Sequence, residues 1–406
     1  MSETAETAPL LRGDNVQQQQ RAAALRFVLM VGVMSFFADF TYEGSRSIIG
    51  QYLLRLGLGP VMISFITGFG EFLGYGLRLL FGRAADRTGL YWPIAIAGYL
   101  VQMTSVPLLA LARDWRAAAT LIILERVGKA ARNPARDAML AHAGKQIGYG
   151  TGFGVHEALD QFGALVGPLF VSGVLTATNE NYSITFACLA APAVVMLSIL
   201  MAARLLYPNP QDLEGETAFE ETSSISWSFW LYLVAIALVA AGFADFPLIA
   251  YRFAIDGAVP STLIPVTYGV AMALAGLGSL GFGRVFDRLG IVLLIPLTLL
   301  SAFYGPLVFR GGMLSAFFGV SLWGVGMGVH ESVIPAAVAT MVAPDRRASA
   351  YGLFTGVYGV AWLLGSIAIG FLFNISRPGV IAFTIVIELV AIPFLYVVWR
   401  LRVRDR

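Results

Sequence analysis

The sequence predicts an all-α polytopic membrane protein of twelve transmembrane helices, arranged as two pseudo-symmetric six-helix bundles. Three observations carry that prediction. Hydrophobic residues make up 57% of the 406 positions and charged ones only 13%, with a mean hydropathy of +0.74, more apolar surface than a soluble chain of this length could hide. Apolar runs of about 20 residues, the length that crosses a bilayer, recur along the chain. An eight-residue phrase occurs twice, 201 positions apart: Gly82-Arg83-Ala84-Ala85-Asp86-Arg87-Thr88-Gly89 and Gly283-Arg284-Val285-Phe286-Asp287-Arg288-Leu289-Gly290.

Other echoes keep nearly the same offset, so the chain reads as two related halves. Phe37-Ala38-Asp39-Phe40 returns as Phe243-Ala244-Asp245-Phe246, Arg46 as Arg252, and Pro134 as Pro335. Duplication of this length in an apolar chain is a mark of transporters built from repeats.

The first six spans are predicted at 27–50, 61–82, 93–112, 117–140, 147–173 and 184–206, and the second six at 227–252, 262–283, 291–310, 313–341, 350–373 and 379–400. Residues 1–26 are polar, with Gln17 to Gln20 in a row, and read as a disordered tail rather than a cleavable signal. Residues 207–226 hold Asp212, Glu214, Glu216, Glu220 and Glu221 and form the linker between the halves. Nineteen Lys and Arg fall on the side of the termini and six on the other, a split that places both ends in the cytoplasm of a bacterial inner membrane. The net charge of +2 gives no reason to expect a nucleic-acid partner, and the lone Cys188 sits in an apolar run as a small hydrophobe. The chain is expected to work as a monomer in the bilayer, without a cofactor.

Six plus six spans, a central linker and the phrase repeated after spans two and eight resemble the major facilitator superfamily, over roughly residues 26–402. That family carries Gly-x-x-x-Asp-Arg-x-Gly followed by basic residues in the loop after span two; Gly82, Asp86, Arg87 and Gly89 supply the first part, as Gly283, Asp287, Arg288 and Gly290 do in the second copy. The trailing cations are replaced by Leu90 and Tyr91, which puts a latch built on them in doubt. Span five reads Gly154, Gly163, Gly167-Pro168, similar to the glycine-rich motif of antiporter, or efflux, branches, although Val171-Ser172 stands where that motif closes on Gly-Gly. Small residues there would let two helices approach closely, and Pro168 would bend the helix.

An ionisable group at bilayer depth is costly unless paired or wet, so each is a candidate for function. Asp39, Glu43 and Arg46 share one face of span one, and Glu43 has no counterpart in span seven, where Ile249 stands. His156, Glu157 and Asp160 in span five face Tyr358, Gly359 and Trp362 in the repeat alignment. These residues of the first half, Glu43, His156, Glu157, Asp160 and Asp39, are the proton and substrate candidates, since imidazole and buried carboxyls can exchange protons near neutral pH. Glu125, Lys129, Arg132 and Arg136 lie on one face of span four beside Arg126 and Asp137. Arg126, Lys129, Arg132 and Arg136 would form a basic face of the cavity, favouring an anionic substrate, unless Arg132 and Arg136 merely pair with Asp86. This stretch also resembles a Gly-Lys…Pro-Arg-Asp pattern of an efflux-like branch. Glu125, Glu71, which could pair with Arg78, and His330-Glu331, which repeats the Gly-Val-His-Glu of residues 154–157, follow behind. Phe36, Phe40, Tyr42, Tyr75 and Trp362 could form an apolar wall.

The function expected is secondary transport of a small molecule by alternating access, with protons as coupling ion and antiport as the direction. Alternatives are proton-coupled uptake of an organic anion, divalent metal-ion export using Asp39, Glu43, His156 and Asp160, and, remotely, a membrane metalloenzyme, since His156-Glu-Ala-Leu-Asp160 is one residue from His-Glu-x-x-His. There is no phosphate-binding Gly-x-x-x-x-Gly-Lys-Ser/Thr loop, so the energy would come from a gradient.

Overall fold

The computed structural model describes the backbone of residues 7–147, 149–208, 226–342 and 347–404; the side chains of 7–20, 144–147, 149–153, 339, 347–349 and 404 are outside the description. The acidic linker residues Asp212 to Glu221 therefore lie outside it. Span one is Thr7–Arg55, span two Pro60–Thr88, span three Tyr91–Leu108, span four Trp115–Ile147, span five Tyr149–Ala177, and span six Tyr182–Cys188 with Ala190–Leu206. Span seven is Trp227–Gly242 with Phe246–Asp256, span eight Ile264–Leu289, span nine Leu294–Ser301 with Tyr304–Arg310, and span ten runs from Met313 to Met341. Spans eleven and twelve are Arg347–Ile375 and Arg377–Arg404. Ten helical stretches pass a test of membrane-crossing length and apolarity; one of them, Ile264–Arg310, is 47 residues long and holds spans eight and nine, and span four is left out of the ten. Span four is too charged to meet a test that assumes lipid on every side.

The segment read as a disordered tail is helical from Thr7 onward. Its Ala, Leu, Arg and Gln residues are good helix formers, and extending an existing helix avoids the cost of nucleation.

The two copies of Phe-Ala-Asp-Phe fold differently. Residues 37–40 lie inside an unbroken helix, where Thr41 Oγ1 donates to the Phe37 carbonyl at 2.9 Å. In the second copy Pro247 stands at the position of Thr41; it has no N–H and its ring would collide with the carbonyl four residues back, so the helix stops at Gly242 and restarts at Phe246. Asp245 caps the restart by accepting from its Phe246 N–H at 3.0 Å. Tyr304 accepts from the Ala244 N–H at 2.6 Å and donates to the Gly242 carbonyl at 3.0 Å, while Trp323 Nε1 donates to the Ala244 carbonyl at 2.9 Å. Span ten carries a π-helical turn, Val329–Val333, just before Pro335, which cannot donate back to Glu331.

The halves meet along spans one and seven, two and eleven, and five and eight. On the side away from the termini they share one apolar core that joins Ile48, Tyr52 and Ile63 to Ile249, Phe253 and Tyr268. On the side of the termini the first half has a core of its own, built from Phe27, Val31, Trp92, Met139 and Met196. The halves thus share a core at the far side, while towards the termini the first half has a separate one and spans two and eleven still touch at Leu79 and Gly352.

Candidate functional site

The division leaves a cavity of about 350 Å³ between the halves. Span one lends Asp39 and Glu43, span two Tyr75 and Arg78, span four Lys129, and span five Glu157, Asp160, Gln161 and Ala164. The other half lends Met272, His330, Glu331 and Pro335 from spans eight and ten, and Tyr351, Phe354, Thr355 and Tyr358 from span eleven. Towards the far side a narrower space of about 60 Å³ continues among Tyr42, Glu43, Arg46, Glu71, Arg126, Met327, Glu331 and Trp362.

Above the cavity the far side is shut. A Cβ on Gly50 would lie 1.9 Å from the Pro247 carbonyl oxygen, so spans one and seven touch backbone to backbone. Ser172 of span five donates to the Thr262 carbonyl at the head of span eight at 2.6 Å.

Beneath that closure lies an ion network. Arg46 Nη2 reaches Asp245 Oδ1 of the other half at 2.7 Å and Glu71 Oε1 at 3.0 Å. Arg126 reaches the same Glu71 oxygen at 3.0 Å and Glu125 at 3.5 Å, and donates to the Tyr42 hydroxyl. Gln102 completes Glu125 with a bond of 2.9 Å. Glu43 accepts from the Tyr268 hydroxyl, across the halves, at 2.5 Å, with Lys129 Nζ at 4.0 Å. Lys129 also sits 3.7 Å above the Tyr42 ring, a cation–π contact.

Several expectations need correction. The basic face of span four does not line the cavity as a unit. Lys129 does, and Arg126 borders the narrower space, but Arg132 is 1% exposed, bonded to Asp39 at 3.3 Å and to the Tyr99 hydroxyl at 3.0 Å. Arg136 is buried beside Asp137 at 2.8 Å. Counted from Arg126 the four cations fall at i, i+3, i+6 and i+10, which spreads them over about a third of the helix circumference, and each has an acid: Glu71, Glu43 and Asp39 of spans two and one answer Arg126, Lys129 and Arg132, and Asp137 of span four itself answers Arg136. Neither arginine pairs with Asp86, which is exposed and accepts from the Tyr91 hydroxyl at 3.4 Å. Glu71 bonds Arg46 and Arg126 rather than Arg78, whose guanidinium lies 5.3 Å from the Tyr75 ring centroid. His156 is buried away from the cavity, 2.7 Å from Ser35 Oγ, so it does not form one wet set with Asp160. Of the expected aromatic wall only Tyr75 faces the main cavity; Tyr42 and Trp362 border the narrower space.

Phe36 and Phe40 serve the span-five glycines instead. A Cβ on Gly163 or Gly167 would come within 2.2 Å of the Phe36 or Phe40 carbonyl oxygen, so these residues let span five lie directly on span one. Gly154 has no such neighbour, and Pro168 packs towards Gly269 of span eight. In the repeated phrase, Gly89 ends span two in the left-handed region at φ 66°, and Gly290 ends span eight at the same φ. Gly82 and Gly283 meet nothing closer than ordinary contact, and Arg87, Asp287 and Arg288 are exposed.

His330 and Glu331 prove central. Both line the cavity from the π turn, which widens the helix where it meets span eleven, and His330 Nδ1 lies 2.6 Å from the Tyr358 hydroxyl. Sequence reasoning passed over Tyr358, Phe354 and Tyr351, although with Trp362 they follow i, i+3, i+7, i+11, a stripe the sequence displays. It also passed over Tyr268, the partner of Glu43, for which no local pattern gave a signal, and Glu388, fully buried in span twelve beyond the cavity. Among the described residues no group of three or more His, Cys, Asp or Glu could hold a metal ion.

With this geometry in place, the comparisons with known proteins fall into order. An uncharacterised protein of Mycobacterium tuberculosis is 37% identical over 382 residues, covering 93% of each chain. An uncharacterised MFS-type transporter of Methanocaldococcus jannaschii is 28% identical over 43% of each chain, and the multidrug resistance protein MdtH of Photorhabdus laumondii is 26% identical over 46% of this chain and 45% of its own. The peptide transporter POT in complex with sulfate superposes with a TM-score of 0.72 at 14% identity, covering 93% of this chain and 94% of that one. A bacterial homologue of the human lysosomal transporter Spinster, inward-facing and unoccupied, gives 0.70 at 14% identity, with 95% and 98% covered. These likenesses at low identity speak for the fold alone. The family model of the Major Facilitator Superfamily matches residues 31–366, most of the chain. Two duplicated six-helix bundles around a polar central cavity, and a family match across both of them, place this integral membrane transporter in the major facilitator superfamily.

Proposed function

We propose that the chain exports a small molecule in exchange for protons, with both termini in the cytoplasm and the structure in its inward-facing state. The observation that carries this reading is the carboxylate-rich cavity, shut at the far side by Gly50 against Pro247 and by Arg46 with Asp245, and lined as far towards the termini as Arg78, Pro335 and Tyr351. The family uses gradients rather than ATP in its rocking-bundle cycle. The span-five glycines and the partial likeness to a multidrug resistance protein favour export.

Glu43 is the residue best placed to couple protons to rocking. Its carboxylate accepts from Tyr268 of the other half and faces Lys129 of its own. A proton arriving on Glu43 removes the charge that holds both, which loosens one strap across the halves. Asp160 and Glu331 then compete for proton or substrate in the wider space below, from opposite halves.

The test is transport into proteoliposomes driven by an imposed pH gradient. Glu43→Gln and Asp160→Asn are each expected to abolish gradient-driven transport while exchange of substrate for substrate survives in at least one. Gradient-driven transport at the wild-type rate in both variants would remove protons from the scheme.

A further inference from the structure

We infer that the cavity selects organic cations: a positively charged nitrogen held among Glu157, Asp160 and Glu331, with an aromatic or apolar body against Tyr75, Phe354 and Tyr358. This rests on the transport reading of the same cavity. Five carboxylates line the space, Asp39, Glu43, Glu157, Asp160 and Glu331, against two cations, Arg78 and Lys129. Behind that lining Arg46 and Arg126 are answered by Glu71, Glu125 and Asp245, Arg136 by the half-exposed Asp137, and Arg132 by Asp39 of the lining itself, which leaves Glu43, Glu157, Asp160 and Glu331 against Arg78 and Lys129 as the surplus. Arg46, Arg126, Arg132 and Arg136, which would favour an anion, are committed to acidic partners, while Arg78 lies against the Tyr75 ring with its Nε open and is the one arginine of the lining among the described residues.

The surplus is also spatially organised. Asp39 is tied to Arg132, and Glu43 to Tyr268 and Lys129, whereas among the described residues Glu157 has only the Gln161 amide at 2.9 Å. Among the described residues Asp160 Oδ1 is buried without a hydrogen-bond partner, and His330, 6% exposed on the cavity wall, keeps Nε2 unpartnered while Nδ1 is bonded to Tyr358. Buried polar atoms left open in this way mark a place that a ligand or water completes. Tyr75 and Tyr358 meet edge to face with ring centroids 4.9 Å apart, and Phe354 lies 5.7 Å from Tyr358; one face of Tyr75 carries Arg78, and the rings of Tyr358 and Phe354 are of the kind that attract an organic cation. A bare divalent metal has no cluster of three ligands among the described residues, and it would leave the aromatic wall without a role. The volume of about 350 Å³ suits a molecule with an organic body.

Binding of benzyltrimethylammonium and of benzylsulfonate, similar in size and opposite in charge, can be measured on the purified full-length protein by isothermal titration. The cation is expected to bind at least about tenfold more tightly than the anion, a difference of about 1.4 kcal/mol. Asp160→Asn combined with Glu331→Gln should weaken the cation about tenfold or more, and Tyr358→Leu should weaken it while Tyr358→Phe, which keeps the ring, retains more of the affinity. Equal or tighter binding of the anion, or no binding of the cation at millimolar concentration, overturns the proposal; the wild-type comparison decides this even if a variant fails to fold. Cation binding without any flux in proteoliposomes under a pH gradient would sink the transport reading and leave the cation site standing. Flux of an anion with no cation bound would do the reverse.

Discussion

The two halves descend from one pattern, yet they satisfy their buried polar groups in different ways. In the first half, charged and polar side chains partner one another: Arg46 and Arg126 on Glu71, Arg132 on Asp39, Gln102 on Glu125, and Ser35 on His156. In the second half, side chains more often partner the backbone: Tyr304 at the break in span seven, Tyr232 to the Ile334 carbonyl at 2.7 Å, Tyr351 to the Pro335 carbonyl at 2.9 Å, and Arg252 to the Gly311 carbonyl at 2.8 Å beside its ion pair with Asp256. The first half keeps its charged spans, one, two, four and five, as unbroken helices and spends their polar groups on charge. The second interrupts its helices with Pro247 and Pro335 and assigns aromatic hydroxyls to the carbonyls and amides around the interruptions. Both solutions answer the absence of water from the bilayer core. The first yields a cavity wall of charges and the second a wall of rings.

The sharpest way to break the comparison is at the hub of the charged half. Glu71→Ala leaves Arg46 and Arg126 without their common acid, and removal of one partner from a buried pair typically costs about 3–5 kcal/mol. The thermal unfolding midpoint of the purified variant should fall markedly, and an unchanged midpoint would mean that these charges are wet rather than paired.

Tyr304→Phe is the matching test of the second half. It strips a hydroxyl from two backbone groups at once, with an expected loss of about 1–3 kcal/mol by the same measurement. Thr41 stands at the equivalent point of span one, where the helix is unbroken, so span one should show no such sensitivity. Thr41→Val, which deletes a hydroxyl bonded within its own helix, should cost much less than Tyr304→Phe.

The cross-half strap can be sharpened by a double-mutant cycle. Arg46→Gln and Asp245→Asn, alone and together, should be non-additive by about 0.5–3 kcal/mol in unfolding experiments. Additive effects would show that the 2.7 Å contact carries no coupling.

The smallest effects belong to the glycine motif and the exposed phrase. Gly154→Ala should be neutral or slightly stabilising, because open space surrounds it and Ala is the better helix former by about 1 kcal/mol. Gly163→Ala should destabilise through its 2.2 Å approach to the Phe36 carbonyl. Asp86→Asn, at the surface, should leave the stability within about 0.5 kcal/mol of wild type. A large loss at Asp86 would give the phrase a structural role that its exposure does not suggest.

Much of the fold was legible because its signals are local. Apolar runs declare spans one by one, and the repeated phrase declares the halves. Gly163 and Gly167, four residues apart, declare a close helix contact without naming the partner. The site was legible only in part. Glu43, Glu157 and Asp160 were marked as unusual charges and do line the cavity, but His156 beside them turns away to Ser35. Span four misled because four cations on one face look like a wall until the acids of other helices are known.

The sequence by itself determined that the chain spans the membrane many times, that it is doubled, and that its first half carries the greater burden of charge. Each of these rests on composition or on spacing within a single helix. Tertiary structure alone decided which charges are spent on one another and which remain open: that Arg132 answers Asp39, that Tyr268 holds Glu43, and that a π turn brings His330 and Glu331 to the cavity. Those pairings depend on how helices far apart in the chain are rotated and stacked, and a linear spacing cannot encode the rotation of a helix against a partner some two hundred residues away.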